Sequence, residues 1–161
     1  MRHAEEAGSP VWQRNESLRH WEPPMRDRVR DHTSERVNQQ IDRRTLATLQ
    51  EHADASLVQI GRRLRELDGE WDIDRALMAA FAVLGGATAA RAMLGIARRG
   101  RPDGFALLFA GQLGFLLYHA ARGWCPPVAV LRRLGFRTAK EIEAERRALD
   151  EMLDERIAAA E

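Results

Sequence analysis

Two long apolar runs separated by a short polar connection restrict the possible folds of this chain more than any other feature. Residues 76–97 read ALMAAFAVLGGATAARAMLGIA, and residues 104–121 read GFALLFAGQLGFLLYHAA. As helices, these 22 and 18 residues extend about 33 Å and about 27 Å, close to the hydrocarbon thickness of a bilayer. Helices that are apolar on all sides belong in a large protein core or in a membrane, and no other apolar segment here could cover two of them. Both runs are therefore predicted to be transmembrane helices.

The connection between the runs, residues 98–103, contains Gly100 and Pro102 and predicts a turn. Because it is so short, the two helices must lie side by side and antiparallel. The sequence thus predicts an all-α fold, a two-span transmembrane helical hairpin flanked by long amphipathic N-terminal and C-terminal helices. Four segments are expected: a disordered polar arm at 1–33, an amphipathic helix at 34–70, the hairpin with a short interfacial helix at 71–136, and a C-terminal amphipathic helix at 137–161.

An apolar stripe within the 34–70 segment runs from Leu46 to Leu67 at steps of mostly three and four residues. Its spacing is close to that of a coiled-coil seam through which copies of the chain self-associate. It also fits a helix that packs on its own chain or lies on a membrane surface. The sequence leaves these alternatives open.

The residues that flank the runs indicate how the hairpin is oriented. Trp71 precedes the first run and Trp124 follows the second, so both are predicted to anchor the same membrane surface. Nine basic residues flank the hairpin within about 20 positions, against three in the connection, which predicts that both termini are cytoplasmic. The three arginines of the connection favour the opposite orientation. Residues 1–30 contain no apolar run of the secretory-signal type, so insertion is expected to use the internal runs.

Several residues inside the runs are predicted to form the packing surface between the two helices. Folding the hairpin about its connection brings Gln112 to the depth of Thr88, which predicts a hydrogen bond between the helices. A pore-lining role for Gln112 is the alternative. The small residues predicted to let the two backbones approach closely are Gly85, Gly86, Gly111 and Gly114.

Arg91 is the one charged residue inside the first run. It lies about 10 Å from the connection, so its side chain can reach the membrane surface. The alternative is a buried contact between Arg91 and a bound anion.

The single cysteine, Cys125, precedes a predicted short helix whose N-terminus favours a thiolate. A thiol or persulfide relay is one interpretation, and a small buried structural residue is the other. There is no second cysteine to act as a resolving thiol, and His119 has no evident carboxylate partner, so no metal site and no cofactor are expected. The sequence offers no nucleophile–base pair, phosphate loop or paired carboxylates, so an enzyme is not expected. The net charge of +1 gives no reason to expect nucleic-acid binding.

The residues on either side of the hairpin resemble a known family. Residues 70–75 read EWDIDR, residues 123–127 read GWCPP, and residues 131–138 read LRRLGFRT. Together with the two runs they resemble the YgaP-like transmembrane family, bacterial inner-membrane domains of unknown function that are sometimes fused to a rhodanese domain. The resemblance covers roughly residues 35–148 and implies a two-span hairpin, an inner-membrane location and a dimer. Sulfurtransferase activity is not implied, because Cys125 is followed by PPVAV and not by a rhodanese active-site loop.

The function expected from these features is that of a non-enzymatic bacterial inner-membrane protein that anchors and oligomerises. Its expected partners are the lipid bilayer, further copies of itself and an unidentified cytoplasmic protein. One alternative is an oligomeric transporter for a small anion or sulfur species that uses Arg91 and Gln112, which would need several copies because two helices cannot enclose a pore. The other alternative is the thiol or persulfide relay at Cys125.

Overall fold

The computed structural model describes residues 21–24 and 27–158, and every regular element within those residues is an α-helix. The predicted all-α fold is therefore confirmed for this part of the chain. The predictions for residues 1–20 and for the last three residues lie outside the described residues. The helices described are α1 (Arg28–Asp31), α2 (Glu35–His52), α3 (Leu57–Gly69), α4 (Ile73–Arg99), α5 (Gly104–Arg122), α6 (Pro126–Leu134) and α7 (Ala139–Ala158).

The chain divides into two compact units. The first, called the polar unit, contains α2, α3 and α7 and is built from segments that lie before and after the hairpin in sequence. The second, called the hairpin unit, contains α1, α4, α5 and α6.

The core of the polar unit forms where the apolar stripes of its three helices meet. Leu49 of α2, Ile60 of α3 and Leu149 of α7 are fully buried there, and Met152 packs beside them. The stripe from Leu46 to Leu67 thus packs against α7 of its own chain, one of the alternatives left open by its spacing. Burying such side chains stabilises a fold by roughly 1.5–3 kcal/mol each.

The predicted single helix over 34–70 is wrong, because residues 53–56 interrupt it. Ser56 is the N-cap of α3, and its hydroxyl accepts a hydrogen bond from the backbone N–H of Gln59. The side-chain oxygen of Gln59 in turn accepts from the backbone N–H of Ser56 at 2.8 Å. This reciprocal capping box satisfies two N–H groups at a helix start and favours a new helix over continuation of α2.

Two arginines connect the helices of the polar unit by polar contacts. Arg156 of α7 donates to the backbone carbonyls of Ala53 and Ala55, just beyond the end of α2. Arg63 of α3 donates from Nε to Oε1 of Glu145 of α7 at 2.8 Å. The Glu145 side chain is fully buried, whereas that of Arg63 is 22% exposed.

The hairpin unit contains the two helices that were predicted as apolar runs, α4 and α5. The carboxylate of Asp72 accepts a hydrogen bond from the backbone N–H of Arg75 at 2.7 Å and caps the start of α4. Gly100, with φ of +67°, ends α4 in the left-handed conformation that glycine adopts without strain. Asp103 then caps α5 through the backbone N–H of Phe105. Both helices are long and apolar enough to cross a membrane.

The end of the hairpin where α4 begins and α5 ends, called the base, is followed by α6, the short helix predicted after Cys125. Cys125 occupies its N-cap position, Pro126 its first helical position, and Gly135, with φ of +96°, its end. Val130 and Leu134 of α6 are exposed, whereas Val128 is buried with Cys125.

The arm at 1–33 was predicted to be disordered, but its last part is ordered, because α1 packs against the start of α4 within the hairpin unit. Val29 is buried with Ile73 and Leu77 at the start of α4. The carboxylate of Asp27 accepts from the backbone N–H of Val29 at 2.9 Å and caps this single turn of helix. A one-turn helix is unstable alone, so the burial of Val29 holds it in place.

We expect Arg63→Ala to destabilise the polar unit by roughly 2–3 kcal/mol, because it removes one of the partners of the buried Glu145 carboxylate. The loss should lie at the lower end of the range for buried ion pairs, since Arg63 remains 22% exposed. Hydrogen exchange of the α7 backbone amides measures it, with the exposed neighbour Arg62→Ala as the control. Equal protection of α7 in the two variants would contradict the assigned role.

Candidate functional site in the hairpin unit

The contact between α4 and α5 is a narrow seam. On α4 the buried positions are mostly small residues, including Ala76, Gly85, Ala92 and Gly95. On α5 no residue is fully buried, and the half-buried positions recur every three or four residues along one face. The remaining faces of both helices expose large apolar side chains.

Gly95, which the sequence analysis missed, leaves room for the side chain of Asp103 against α4. A Cβ at this position would collide with the carboxylate of Asp103, the residue that caps α5. The same carboxylate forms an ion pair with Arg99 at 3.1 Å. The available sequence signal was a glycine about one turn before the end of α4, with a capping aspartate just beyond the short connection.

Three of the four glycines predicted to pack the helices together do not do so. A Cβ built at Gly86, Gly111 or Gly114 meets nothing within 4 Å. These glycines lie on the outward faces of α4 and α5, because the helices meet through other positions. Gly85 is buried, but the contact that a Cβ there would make is with the ring of Phe81 on its own helix, so its role in packing between helices stays a prediction.

Thr88 and Gln112 join the two helices near the middle of the hairpin. The Thr88 hydroxyl donates to the side-chain oxygen of Gln112 at 2.7 Å. This pair was predicted from the sequence, because folding the hairpin about its connection places both residues at the same depth. Among the described residues Gln112 makes no further hydrogen bond, so the two N–H donors of its amide are left without acceptors.

A lateral cavity of about 100 Å³ opens between α4, α5 and the start of α6. Its walls are mostly apolar, with Leu77 and Phe81 on α4 and Phe115 on α5. Gln112 and Cys125 also line it, so the two residues of most chemical interest in the sequence share one cavity.

Cys125 is buried, with 1% of its surface exposed. Burial raises the pKa of its thiol by penalising the charged thiolate, and a hydrogen bond from the backbone N–H of Val128 opposes this shift only in part. A raised pKa leaves little thiolate at neutral pH, which favours the structural interpretation over the relay.

Arg91 lies over the ring of Phe105, with its guanidinium carbon 5.0 Å from the ring centroid. Phe105 is at the start of α5, so Arg91 reaches toward the connection and makes a cation–π contact there. This contact does not bring Arg91 into the cavity that Gln112 lines.

Aromatic and charged side chains cluster at the base of the hairpin. The guanidinium of Arg75 lies 4.7 Å from the ring centroid of Trp71, and Tyr118 meets Trp124 edge to face at 6.4 Å. The expectation that His119 has no carboxylate partner was wrong. Its Nε2 lies 3.0 Å from Oδ1 of Asp74, a pairing across the helices that sequence separation conceals.

No protein-family model, curated protein or solved structure matches this chain. The resemblance to the YgaP-like family therefore stays a prediction. Within residues 21–24 and 27–158 there is also no cluster of histidine, cysteine and acidic side chains that could hold a metal ion.

We expect Gly95→Leu to destabilise the hairpin by about 1–3 kcal/mol, because the new side chain displaces Asp103 from α4. Ala87→Leu on the exposed side of α4 is the control and should change stability by less than about 0.5 kcal/mol, since the added side chain meets no other part of the hairpin. The measurement is loss of helicity of the full chain during denaturant titration in detergent micelles. Equal effects of the two substitutions would show that the seam is wrongly assigned.

We expect Cys125 to react slowly with a maleimide up to about pH 8.5, the usual thiol pKa, because its raised pKa keeps it protonated there. The control is Ala47→Cys in a Cys125→Ala background, which places the thiol at an exposed helical position. The folded state should also lose stability above that pH, since it holds a proton that the unfolded chain releases. Fast labelling of Cys125 at neutral pH would contradict the structural interpretation and favour the relay.

Proposed function

We propose that this chain is a non-enzymatic protein of the bacterial inner membrane, in which α4 and α5 cross the bilayer as a hairpin that anchors the chain and assembles into an oligomer. The observation that carries the proposal is the outward exposure of apolar side chains along both helices. Leu107 and Leu117 of α5 are 76% and 73% exposed, and Val83 and Met93 of α4 are similarly open. Water would solvate these faces poorly, whereas lipid chains cover them without cost.

The positions of the polar side chains in the hairpin unit also support a bilayer environment. Thr88 and Gln112 face each other across the seam. Asp74 pairs with His119 at the base, and Arg91 reaches the connection end. In a bilayer, polar side chains are tolerated where they pair inside or reach a surface.

The architecture of the polar unit supports an even number of crossings. Arg63 precedes the hairpin and Glu145 follows it, yet their side chains are 2.8 Å apart. Chain segments on opposite sides of a bilayer could not make this contact. A hairpin of two spans places both flanking segments on one side of the bilayer and therefore allows the contact between Arg63 and Glu145.

The basic residues around the hairpin support a cytoplasmic location for those flanks. The three arginines of the connection favour the opposite orientation, but the nine basic residues of the flanks outnumber them. Trp71 and Trp124 then lie at the cytoplasmic surface, where indole rings prefer to sit.

The outward glycines support an oligomer, which we propose is a dimer. Gly86, Gly111 and Gly114 leave the helix surfaces open to a close approach by another helix. Membership of the YgaP-like family is part of this proposal. The transporter alternative has less support, because Arg91 and Gln112 are not brought together. The relay alternative has less support, because Cys125 is buried.

The proposal is tested by where the protein fractionates and how it is labelled. The full chain should remain with membranes after alkaline extraction. In a Cys125→Ala background, Pro102→Cys should react with an impermeant maleimide on spheroplasts, and Gln39→Cys, exposed on α2, only after lysis. Full release by alkali would overturn the membrane location, and the reverse labelling pattern would overturn the orientation.

A further inference from the structure

We propose that the lateral cavity of the hairpin unit binds a small apolar molecule that carries one carbonyl-type hydrogen-bond acceptor. The cavity measures about 100 Å³ and is bounded by aliphatic and aromatic side chains of α4 and α5. The acceptor of the ligand is held by the side-chain amide of Gln112.

The amide of Gln112 gives the cavity its specificity. The oxygen of this amide lies 2.7 Å from the Thr88 hydroxyl, which also lies 3.0 Å from the backbone carbonyls of Leu84 and Gly85, so the amide is held beside α4. Its two N–H donors have no acceptor among the described residues. An amide donor without a partner in an apolar site is unfavourable, and the proposed bilayer location removes the water that would otherwise pair with it. A ligand with an acceptor satisfies it.

The volume and lining define the rest of the ligand. A cavity of about 150 Å³ with apolar walls holds benzene. This one is somewhat smaller and open at its side, so a ring or chain of about six non-hydrogen atoms fits with part of it at the mouth. No charged side chain lines the cavity within the described residues, which favours a neutral molecule over an anion.

Cys125 closes the end of the cavity near the base of the hairpin. Its thiol is a weak donor and behaves as a small apolar group, so it shapes the cavity without adding a strong polar contact. The inference therefore requires no reaction at Cys125.

The test compares two probes of almost equal shape, cyclohexanone and methylenecyclohexane, of which only the first carries an acceptor. Binding to the purified full chain in detergent micelles is measured by ligand-detected nuclear magnetic resonance. We expect cyclohexanone to bind about five- to tenfold more tightly, the contribution of one hydrogen bond. The preference should vanish in Gln112→Leu and persist in Ala87→Leu, an exposed position that does not line the cavity.

Ala80→Phe provides a second variant that keeps Gln112 and fills the cavity, since Ala80 lines it. Both probes should lose specific binding to Ala80→Phe while its helicity stays unchanged. Equal binding of the two probes to the unmodified chain would overturn the inference and indicate a groove for lipid chains. Dissociation of an oligomer by Gln112→Leu would also overturn it, because a second copy would then satisfy the amide. The probe preference is measured on purified protein in micelles, whereas the membrane location is tested by alkaline extraction. Absence of the preference would therefore overturn this inference without overturning the membrane location.

Discussion

The side chain of Asp103 fixes the position of α5 against α4 at the connection end of the hairpin. It caps α5, pairs with Arg99, and lies against α4 at Gly95, where no Cβ fits. Once this end is set, two further polar contacts follow at successive depths. Thr88 meets Gln112 near the middle, and Asp74 meets His119 at the base. The cavity lies between these last two contacts, so its shape depends on the register that Asp103 establishes.

The two units use opposite packing rules. The polar unit buries large aliphatic residues such as Leu49, Ile60 and Leu149 and keeps its charges outside or paired. Beyond its small core of Val29, Ile73 and Leu77, the hairpin unit buries mainly small residues such as Gly95 where α4 meets α5 and exposes large apolar residues on the other faces. The first pattern is driven by removal of apolar surface from water. The second pattern is the one expected of helices in a bilayer. Lipid chains are as apolar as leucine, so the attraction between helices comes from close approach of their backbones.

The features that depend on local chemistry could be predicted from the sequence. The two apolar runs, the turn at Gly100 and the short helix after Cys125 all appear where composition and spacing indicated. The pair of Thr88 and Gln112 followed from counting outward from the connection. Which face of each helix turns inward could not be predicted, because helices that are apolar all round carry little periodic signal. For that reason Gly86, Gly111 and Gly114 were assigned to the wrong face, and Gly95 was missed. The break at Ser56 was missed because the apolar stripe continues across it.

Because the polar unit is assembled from both flanks of the hairpin, it is completed late during synthesis. Arg63 and Glu145 are 82 positions apart, and the whole hairpin emerges from the ribosome between them. Until α7 is made, the apolar faces of α2 and α3 have no covering helix, which makes this intermediate vulnerable to aggregation. Any fault in placing the hairpin would keep α7 from reaching them. If the hairpin crosses a membrane as proposed, the polar unit forms only after correct insertion, and a chain with a misplaced hairpin would expose the apolar stripe of α2 and α3 to proteases and chaperones.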